Sequence, residues 1–422
     1  MIVPSIDLRN GNAVQLRGGK ELVLDAGDPR PIAERFALAG EIAVVDLDAA
    51  LGTGSNERAI LDLLHIARCR VGGGIRSVDA ALRWLDAGAT KVVLGTAARP
   101  EVLARLPRER VVAALDTVHD EVVDHGWTRR TGATVLDRIR ELRPFVGGFL
   151  VTFVEREGRL GGTSLDRAAA IVAAAEGCRV TIAGGVTTPD EIAALDRLGA
   201  DAQVGMAIYT GAMDLADAIA APLTSDRPDG LWPTVICDPH GAALGLAYSD
   251  VESLREAVRS RRGVYHSRRR GPWVKGATSG ATQELLRVDL DCDRDALRFT
   301  VRQHGSGNCH TGAWSCFGDA RGLAALERTL AGRTVEAPPG SYTRRLFDDP
   351  ALLASKLEEE ARELSTELSS GRVAEEAADL LYFAMVKLSA SGVRLEDVAH
   401  VLDARALRVA RRPGDAKKEA PE

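Results

Sequence analysis

The sequence predicts a multidomain protein that begins with a (β/α)8 TIM barrel, continues into a small α+β domain and ends in an all-α domain. Short apolar runs alternate with amphipathic stretches over the first 220 residues, landmarks there recur at one period, and beyond residue 320 the apolar periodicity is purely helical. At 422 residues the chain is too long for one ordinary core. We expect a barrel over 1–219, a linker over 220–230, the α+β domain over 231–319, the helical domain over 320–407 and a disordered charged tail over 408–422.

The composition is that of an ordinary globular protein and argues against several classes. The net charge of -6 argues against a nucleic-acid-binding protein, whose footprint is a basic surface. No run of eighteen apolar residues is present, so no membrane span is expected. The first residues, MIVPSIDLRNG, lead into a strand and lack the basic region and cleavage site of a signal peptide. Six cysteines, three of them in one cluster, do not make a disulfide framework, which predicts a reducing compartment, the cytoplasm.

Eight strand-helix units are expected in the first 220 residues. The amphipathic stretches between the strands include PIAERFALAG, VDAALRWLDAG and PDEIAALDRLGA. Eight such units predict a closed barrel. A doubly wound open sheet is the alternative, because periodicity does not show closure. The strand candidates are 2–6, 42–46, 69–71, 91–94, 111–115, 149–152, 179–183 and 202–204.

The barrel sequence repeats itself, which predicts two half-barrels of four units each. Asp7 and Asp116 both end a strand and lie 109 residues apart. Gly73 and Gly184 lie 111 apart, and the glycines of VLGTA and VGMAI lie 110 apart. In this arrangement the two aspartates face each other across the barrel axis. Opposed carboxylates serve as general base and general acid when their surroundings separate their pKa values; helix capping is the alternative role.

The same repeat places glycine-rich loops on opposite sides of the barrel mouth. Phosphate usually binds after strands seven and eight, where small residues let backbone N–H groups approach an anion. An equivalent pair of loops after strands three and four implies a substrate phosphorylated at both ends. Glycines of tight turns are the alternative interpretation. The candidate phosphate-binding residues are Gly73, Gly74, Gly95, Thr96, Gly184, Gly185, Gly205 and Met206.

These motifs resemble the isomerase of histidine biosynthesis, which converts an aminoaldose to an aminoketose by an Amadori rearrangement. The resemblance rests on MIVPSIDLRNG, VVDLDAALGTGSN, VGGGIR and ALDT. It implies Asp7 as catalytic base, Asp116 as acid and Thr152 as an assisting residue. Two positions depart from the family: the residue after the threonine, usually acidic, is Phe153, and the usual Arg-Asp-Gly is Arg-Glu-Gly, with Glu157 at its centre. Some relatives also isomerise phosphoribosylanthranilate, so the substrate range stays open.

In the middle domain, VDLDCDRDALRFTVRQHGSGNCHTGAWSC has the spacing of a metal site. Asp291, Asp293 and Asp295 are two apart, and oxygen ligands of this kind suit magnesium. Cys292 lies between Asp291 and Asp293. Sixteen residues separate it from Cys309, and six more separate Cys309 from Cys316. Three thiolates without an obvious fourth ligand suit a catalytic zinc with an open position for water. Reduced thiols beside an acidic turn are the alternative.

The preceding loop, SRRRGPWVKGATSG, is basic and suits a ligand with a phosphate and a ring: Arg268, Arg269 and Lys275 neutralise phosphate, and Trp273 stacks or packs. A solvated basic loop is the alternative. Together WVKGATSG, DLDCDRD and NCHTGAWSCFGD resemble phosphoribosyl-AMP cyclohydrolase. That resemblance implies a dimer with zinc at the subunit interface and a zinc-activated water that opens the adenine ring. It also implies that His310 is either a proton shuttle or a residue that orients the zinc ligands. The implied metal ligands are Cys292, Cys309 and Cys316 for Zn²⁺ and Asp291, Asp293 and Asp295 for Mg²⁺.

The helical region carries paired acids. Glu360 and Glu363 lie three apart, as do Glu376 and Asp379, so each pair shares one helix face. Two such helices suit Mg²⁺ ions held against a polyphosphate, and solvated acidic faces are the alternative. GSYTRRLF, EEEARE and EEAADLLY resemble phosphoribosyl-ATP pyrophosphohydrolase. The resemblance adds Glu359 to the magnesium ligands and Lys356 to the substrate-binding residues.

The three resemblances belong to consecutive reactions of one pathway. We therefore predict a trifunctional enzyme of histidine biosynthesis that uses Zn²⁺ and Mg²⁺, acts on small phosphoribosyl nucleotides and forms a homodimer through its cyclohydrolase and helical domains. Partners among nucleic acids or membranes are not expected. Two alternatives come from other readings of the domains: a barrel that isomerises mainly phosphoribosylanthranilate or only binds sugar phosphates, and a helical domain that is a non-catalytic dimerisation module.

Overall fold

The computed structural model describes residues 1–124, 126–127, 129–269, 271–318 and 321–409. The chain forms two compact units. Of the described residues, the first unit contains those in Met1–Asp238, in Leu246–Gly305 and in 407–409. The second unit contains those in Pro239–Gly245 and Ser306–Ala406. In the described part of the chain, no helix is both long and apolar enough to cross a membrane.

The first unit contains a closed barrel of eight parallel strands. The first strand pairs with the last, and the sixth pairs with both the fifth and the seventh, so the ladder has no open edge. This confirms the predicted TIM barrel and excludes the open sheet. The barrel strands are Ile2–Arg9, Ile42–Asp46, Cys69–Gly72, Lys91–Leu94, Val111–Val118, Gly148–Phe153, Arg179–Ala183 and Ala200–Val204.

Helices cover the outside of the barrel because their apolar residues recur at helical spacing. Val78, Ala81 and Leu85 are buried on one face of their helix, and Thr188 begins another with a capping box. The helices are Pro29–Phe36, Leu47–Leu51, Glu57–Ile66, Val78–Asp86, Pro100–Leu103, Val135–Leu142, Leu165–Ala175, Pro189–Arg197, Met206–Tyr209 and Leu215–Ala220, with short 3-10 turns at Ala37–Ala39, Arg108–Arg110 and Val154–Arg156.

Two β-hairpins stand over the carboxyl ends of the barrel strands and were not predicted. One, Asn12–Arg17 with Glu21–Gly27, follows the first strand; the other, Glu121–Asp124 with Arg129–Thr134, follows the fifth. Each hairpin therefore follows the first strand of one half-barrel. The outer strands, Glu21–Gly27 and Arg129–Thr134, are exposed along most of their length, so their apolar pattern in the sequence is weak.

The first unit also holds most of a six-stranded sheet. Its strands in spatial order are Gly271–Val274, Val264–Ser267, Ala243–Ser249, Trp232–Cys237, Leu297–Gln303 and Gln283–Leu290. The helix Val251–Ser260 begins at Asp250, whose side chain accepts a hydrogen bond from the Ser253 amide. Together these elements are the predicted small α+β architecture.

Residues 407–409 lie against the barrel. The Arg110 guanidinium donates to the carbonyls of Ala89, Thr90 and Leu407, and the Val409 amide donates to Asp86 Oδ1 at 2.7 Å. The remainder of the predicted charged tail, 410–422, lies outside the described residues.

The second unit is helical, as predicted. Its helices pack around a small apolar core, and the Thr343 and Tyr382 hydroxyls share a hydrogen bond of 2.8 Å. The core residues are Leu330, Leu346, Leu353, Phe383, Met385 and Val386. The helices are Gly322–Val335, Tyr342–Asp348, Pro350–Thr366, Ser370–Ala390 and Leu395–Ala406.

Candidate functional site

Asp7 and Asp116 occupy equivalent places in the two halves of the barrel. Each lies where a barrel strand continues into a hairpin, so that Asp7 pairs with Val14 and Asp116 with Val123. Both side chains are half-buried at the barrel mouth. Thr152 pairs with Asp116 on the neighbouring strand, and its buried side chain donates a hydrogen bond to the carboxyl group.

Burial makes both carboxyl groups weaker acids. It raises the pKa of Asp7 to about 7. Burial also raises the pKa of Asp116, although hydrogen bonds from the Trp127 and Thr152 side chains act in the opposite direction. A pKa of about 7 lets Asp7 exchange a proton near neutral pH, and the raised pKa of Asp116 favours its protonated form; these are the properties that paired base and acid chemistry needs.

A third carboxyl group, Glu157, belongs to the same mouth. Burial, and then the negative charges of Asp7 and Asp116, raise the pKa of Glu157 to about 7. Its carbonyl accepts a hydrogen bond from the Gly18 amide at 3.3 Å, which ties the loop after strand six to the first hairpin. The sequence showed Glu157 only as a departure from a familiar triplet, because nothing local indicates that its side chain faces the two aspartates.

Trp127 is a further residue that sequence reasoning missed. Besides its bond to Asp116, its ring packs so closely on Gly19 that a Cβ there would lie 2.5 Å from a ring carbon. The two hairpins thus meet over the mouth. The signal in the sequence was a lone tryptophan beside a glycine, in a stretch without strong periodicity.

The raised pKa of Asp7 predicts a pH-dependent gain in stability for Asp7→Asn. A carboxyl group whose folded pKa lies above its unfolded value favours folding at low pH, and this contribution is lost as pH rises from about 4 through about 7. Urea unfolding should therefore show little difference between Asp7→Asn and wild type at pH 4, and a gain of about 4 kcal/mol for the variant at pH 8. A constant difference across this range would contradict the assignment.

The glycines of the two predicted phosphate loops adopt left-handed backbone conformations. Gly73 and Gly74 have φ of 89° and 69°, and Gly184 and Gly185 have φ of 89° and 86°. A Cβ would lie 2.2 Å from the Asp46 carbonyl oxygen at Gly73 and 2.5 Å from the equivalent Phe153 oxygen at Gly184. Packing alone therefore requires glycine here, and an anion-binding role is a separate proposal.

The remaining phosphate candidates lie at the ends of strands four and eight. Gly95 has open space at its Cβ position, with Thr96 following it in a turn. Gly205 precedes the helix that starts at Met206, and a Cβ there would lie 2.8 Å from Ser5 Oγ and Gln15 Oε1.

Gly184→Ala should destabilise the protein by about 3 kcal/mol, because both the left-handed φ and the close backbone oxygen oppose a methyl group. Gly177→Ala is the matched control: its φ is 85° but nothing lies within 4 Å, so about 1 kcal/mol is expected. Urea midpoints measure both variants, and equal losses would show that the close contact carries no energy.

Phe153 departs from the expected acidic residue and has a packing role. It is fully buried, and the Arg167 guanidinium lies 4.1 Å from its ring centroid. Arg167 also pairs with Asp120 at 2.6 Å and Glu155 at 2.5 Å. The Phe153 ring therefore stabilises the Arg167 guanidinium, which links the loops that carry Asp120 and Glu155.

The acidic turn of the sheet domain brings its three carboxylates together. Asp291, Asp293 and Asp295 each offer an oxygen within 4.8 Å of the others. The amides of Asp295 and Ala296 donate to Asp291 Oδ1 at 3.0 and 3.1 Å. A hydrogen bond with Asp291 and the charge of Asp293 raise the pKa of Asp295. Three hard oxygen donors gathered in one turn fit a divalent cation.

The cysteines predicted to bind zinc are divided between the units. Cys292 is exposed on the acidic turn of the first unit, 3.9 Å from Asp293 Oδ1. In the second unit, Thr311 Oγ1 donates to Cys309 Sγ at 3.1 Å and Asn308 Nδ2 lies 3.5 Å from Cys316 Sγ. Hydrogen bonds from Thr311, and a further one with Cys316, lower the pKa of Cys309. Two neighbouring thiols with a stabilised thiolate suit a soft metal ion.

Other predicted residues of this domain have ordinary partners. His310 is exposed, with Nδ1 3.9 Å from Cys309 Sγ. Trp273 is 39% exposed and packs on Tyr265 with ring centroids 5.5 Å apart. Arg268 lies over the Tyr248 ring at 4.8 Å, and Lys275 is buried.

In the helical unit, Glu360, Glu363 and Glu376 form the acidic cluster, with one oxygen from each within 4.8 Å of the others. Two of them, Glu360 and Glu376, are buried at 6% and 8% exposure, which distinguishes the cluster from a solvated helix face. Lys356 pairs with Glu359 at 2.7 Å and with Glu360 at 3.0 Å. Glu359 therefore faces the lysine, and the predicted ligand Asp379 is exposed.

A closed barrel with paired acids at its mouth is followed along the chain by a turn with thiol and carboxylate groups and by a buried carboxylate cluster. Residues 1–214 match the family described as histidine biosynthesis protein. Residues 245–318 match phosphoribosyl-AMP cyclohydrolase, and 323–406 match phosphoribosyl-ATP pyrophosphohydrolase. The chain belongs to the histidine biosynthesis protein family and carries the two other domains after it. Those two families use metal ions.

Named relatives agree with this assignment. The chain is 38% identical to a histidine biosynthesis trifunctional protein of Komagataella pastoris over 82% of this chain and 39% of that protein. It is 52% identical to the Neurospora crassa trifunctional protein over 49% of this chain and 24% of the relative. An imidazole-4-carboxamide isomerase of Gemmatimonas aurantiaca is 38% identical over 50% of this chain and 94% of its own length. The chain thus spans 39% and 24% of the lengths of these two trifunctional relatives.

Proposed function

We propose that this protein catalyses three reactions of histidine biosynthesis. The helical domain hydrolyses phosphoribosyl-ATP to phosphoribosyl-AMP and pyrophosphate, the middle domain opens the adenine ring, and the barrel isomerises the aminoaldose to the aminoketose. The observation that carries the proposal is the presence of all three matching domains in one chain. Each product is the next domain's substrate, so the three assignments support one another.

In the barrel, Asp116 and Asp7 are the proposed acid and base. Asp116 donates a proton to the ring oxygen of the aminoaldose as the C1–O bond breaks. Asp7 removes the C2 proton, and the resulting enol form becomes the ketone. The raised pKa values of both groups support these roles, because one must hold a proton and the other must accept one near neutral pH. Thr152 holds Asp116, and the paired glycine loops would bind the two phosphates.

In the middle domain, Cys292, Cys309 and Cys316 would hold Zn²⁺, and Asp291, Asp293 and Asp295 would hold Mg²⁺. A zinc ion held there would supply the acidification of water that hydrolytic opening of the adenine ring needs. The lowered pKa of Cys309 and the clustered aspartates support this donor set. Arg268, Lys275 and Trp273 would bind the phosphate and base, and His310 would carry a proton.

In the helical domain, Mg²⁺ would bind at Glu360, Glu363 and Glu376, where the clustered carboxylates support the assignment. Glu359 and Asp379 would complete the ligand set, and Lys356 would contact substrate after leaving its carboxylate partners. We further propose a homodimer through the cyclohydrolase and helical domains. We also propose a cytoplasmic location, which the six cysteines outside disulfide bonds support.

Feeding the purified chain phosphoribosyl-ATP with Mg²⁺ and Zn²⁺ tests the proposal. Phosphoribosyl-AMP, the ring-opened aminoaldose and the aminoketose should form in that order, followed by liquid chromatography. Phosphoribosylanthranilate supplied in a parallel assay measures whether the barrel has a second substrate. Failure to form phosphoribosyl-AMP or the ring-opened product would overturn the trifunctional assignment.

A further inference from the structure

The acidic turn contains one basic residue, whose hydrogen bonds go to the main chain of the turn and to the barrel and not to the three carboxylates of the turn. Arg294 stands between Asp293 and Asp295 and has a φ of 67°. A left-handed conformation costs a residue with a side chain about 1–2 kcal/mol, whereas glycine adopts it freely. An arginine at this position therefore needs compensating interactions.

The Arg294 guanidinium makes those interactions with its own turn and with the barrel. Nη1 donates to the Asp291 carbonyl at 2.6 Å. Nε and Nη2 donate to the two carboxylate oxygens of Asp196 at 3.1 and 3.2 Å. Asp196 belongs to the barrel helix Pro189–Arg197. This two-point pairing fixes both the distance and the orientation of the guanidinium.

The environment of Asp196 favours the charged carboxylate that pairs with the Arg294 guanidinium. Partial burial acts to raise its pKa, but hydrogen bonds from Arg294 and the Met1 amino group outweigh that effect, so the pKa of Asp196 is lowered. The two side chains of the pair are 24% and 15% exposed, which limits screening by solvent. The linker adds a further constraint, because the Thr224 amide donates to the Arg294 carbonyl at 2.8 Å.

We propose that Arg294 is a positioning residue for the divalent cation at Asp291, Asp293 and Asp295, and that Asp196 of the barrel holds it in place. Three carboxylates within 4.8 Å repel one another and favour an open turn. Arg294 donates a hydrogen bond to the main chain of Asp291 and pairs with Asp196 on the helix Pro189–Arg197. The turn therefore keeps its shape before the divalent cation binds. The barrel thereby contributes to metal affinity in the cyclohydrolase domain. This inference rests on the proposed metal role of the turn.

Mn²⁺ titration of the full chain, with free ion measured by electron paramagnetic resonance, tests the proposal. The chain carries Glu363→Gln and Glu376→Gln, so that the helical cluster does not contribute. Arg294→Gly and Asp196→Asn should each weaken Mn²⁺ binding about tenfold, the size expected for residues that orient metal ligands. Because glycine favours the left-handed φ, a loss in Arg294→Gly comes from the missing guanidinium and not from backbone strain. The double variant should lose no more than either single one, since the residues act as a pair.

Two further variants separate the possible outcomes. Asp293→Asn should abolish tight Mn²⁺ binding; if it does not, the turn is not the cation site and the proposed metal assignment fails together with this inference. If Asp293→Asn abolishes binding while Arg294→Gly and Asp196→Asn leave it unchanged, the positioning role alone is overturned. Glu34→Gln breaks a different ion pair between barrel and sheet domain, Glu34–Arg261 at 2.8 Å. A tenfold loss in that control would indicate general loosening and would also overturn the proposal.

Discussion

Asp7→Asn should lower the isomerase activity of the barrel by about 10³-fold, because an amide cannot take the proton that the reaction removes from carbon. The exchange preserves shape, and the half-buried position of Asp7 tolerates a neutral group, so the fold is retained. The measurement is kcat for conversion of the aminoaldose to the aminoketose. Ring opening and pyrophosphate release from their own substrates should be unchanged.

The matched control for this variant is Asp28→Asn. Asp28 lies after the first hairpin, at the start of the helix Pro29–Phe36, and pairs with Arg30 at 2.8 Å, outside the carboxyl cluster. Isomerisation should be unaffected there. Full activity in Asp7→Asn would rule out Asp7 as the base and would leave Glu157, the third acid of the mouth, as the group to replace next.

Glu376→Gln should reduce hydrolysis of phosphoribosyl-ATP by roughly 100-fold or more, because it removes a charged ligand from a buried cluster that would otherwise hold Mg²⁺. The variant also removes the carboxylate that pairs with Arg372 at 3.3 Å, but that arginine is largely exposed and contributes little stability. Pyrophosphate release measures the effect. Raising the Mg²⁺ concentration should restore part of the activity.

Glu375→Gln is the control, since Glu375 precedes Glu376 on the same helix, is exposed and lies outside the cluster. It should hydrolyse phosphoribosyl-ATP at the wild-type rate. If the wild-type chain itself releases no pyrophosphate, the helical domain is a non-catalytic module. If Glu375→Gln and Glu376→Gln lose activity equally, the cluster has no special role.

Much of the fold was predictable because the buried faces of helices and strands require apolar residues at regular spacings in the sequence. All eight barrel strands were found from apolar runs, and their number favoured a closed barrel over an open sheet. Closure itself is shown by the pairing of the first strand with the last. The hairpin strands Glu21–Gly27 and Arg129–Thr134 were missed because they have exposed faces and little apolar alternation. The association of the sheet domain with the barrel in one unit was also outside reach, because it depends on contacts such as Arg294–Asp196 between residues 98 positions apart.

The candidate site was predictable where chemistry and spacing coincide. The opposed positions of Asp7 and Asp116 followed from the repeat, and the three aspartates of the turn lie together, as their spacing of two suggested. Glu157 and Trp127 could not be found this way, because they reach the mouth through loop conformation. The family resemblance grouped Glu359 with the other acids, and spacing grouped Asp379 with them. In the structure Glu359 faces Lys356 and Asp379 is exposed to solvent.

The contact of residues 407–409 with the barrel bears on the order in which the chain acquires its structure. Arg110 meets the Leu407 carbonyl across 297 positions of sequence, and Asp86 meets the Val409 amide across 323. During synthesis the barrel segment leaves the ribosome long before these partners exist, so its Arg110 side chain first bonds only to neighbouring carbonyls and water. Closing so long a loop is entropically costly and slow. The barrel should therefore gain its final protection against proteolysis only after the helical segment has been made.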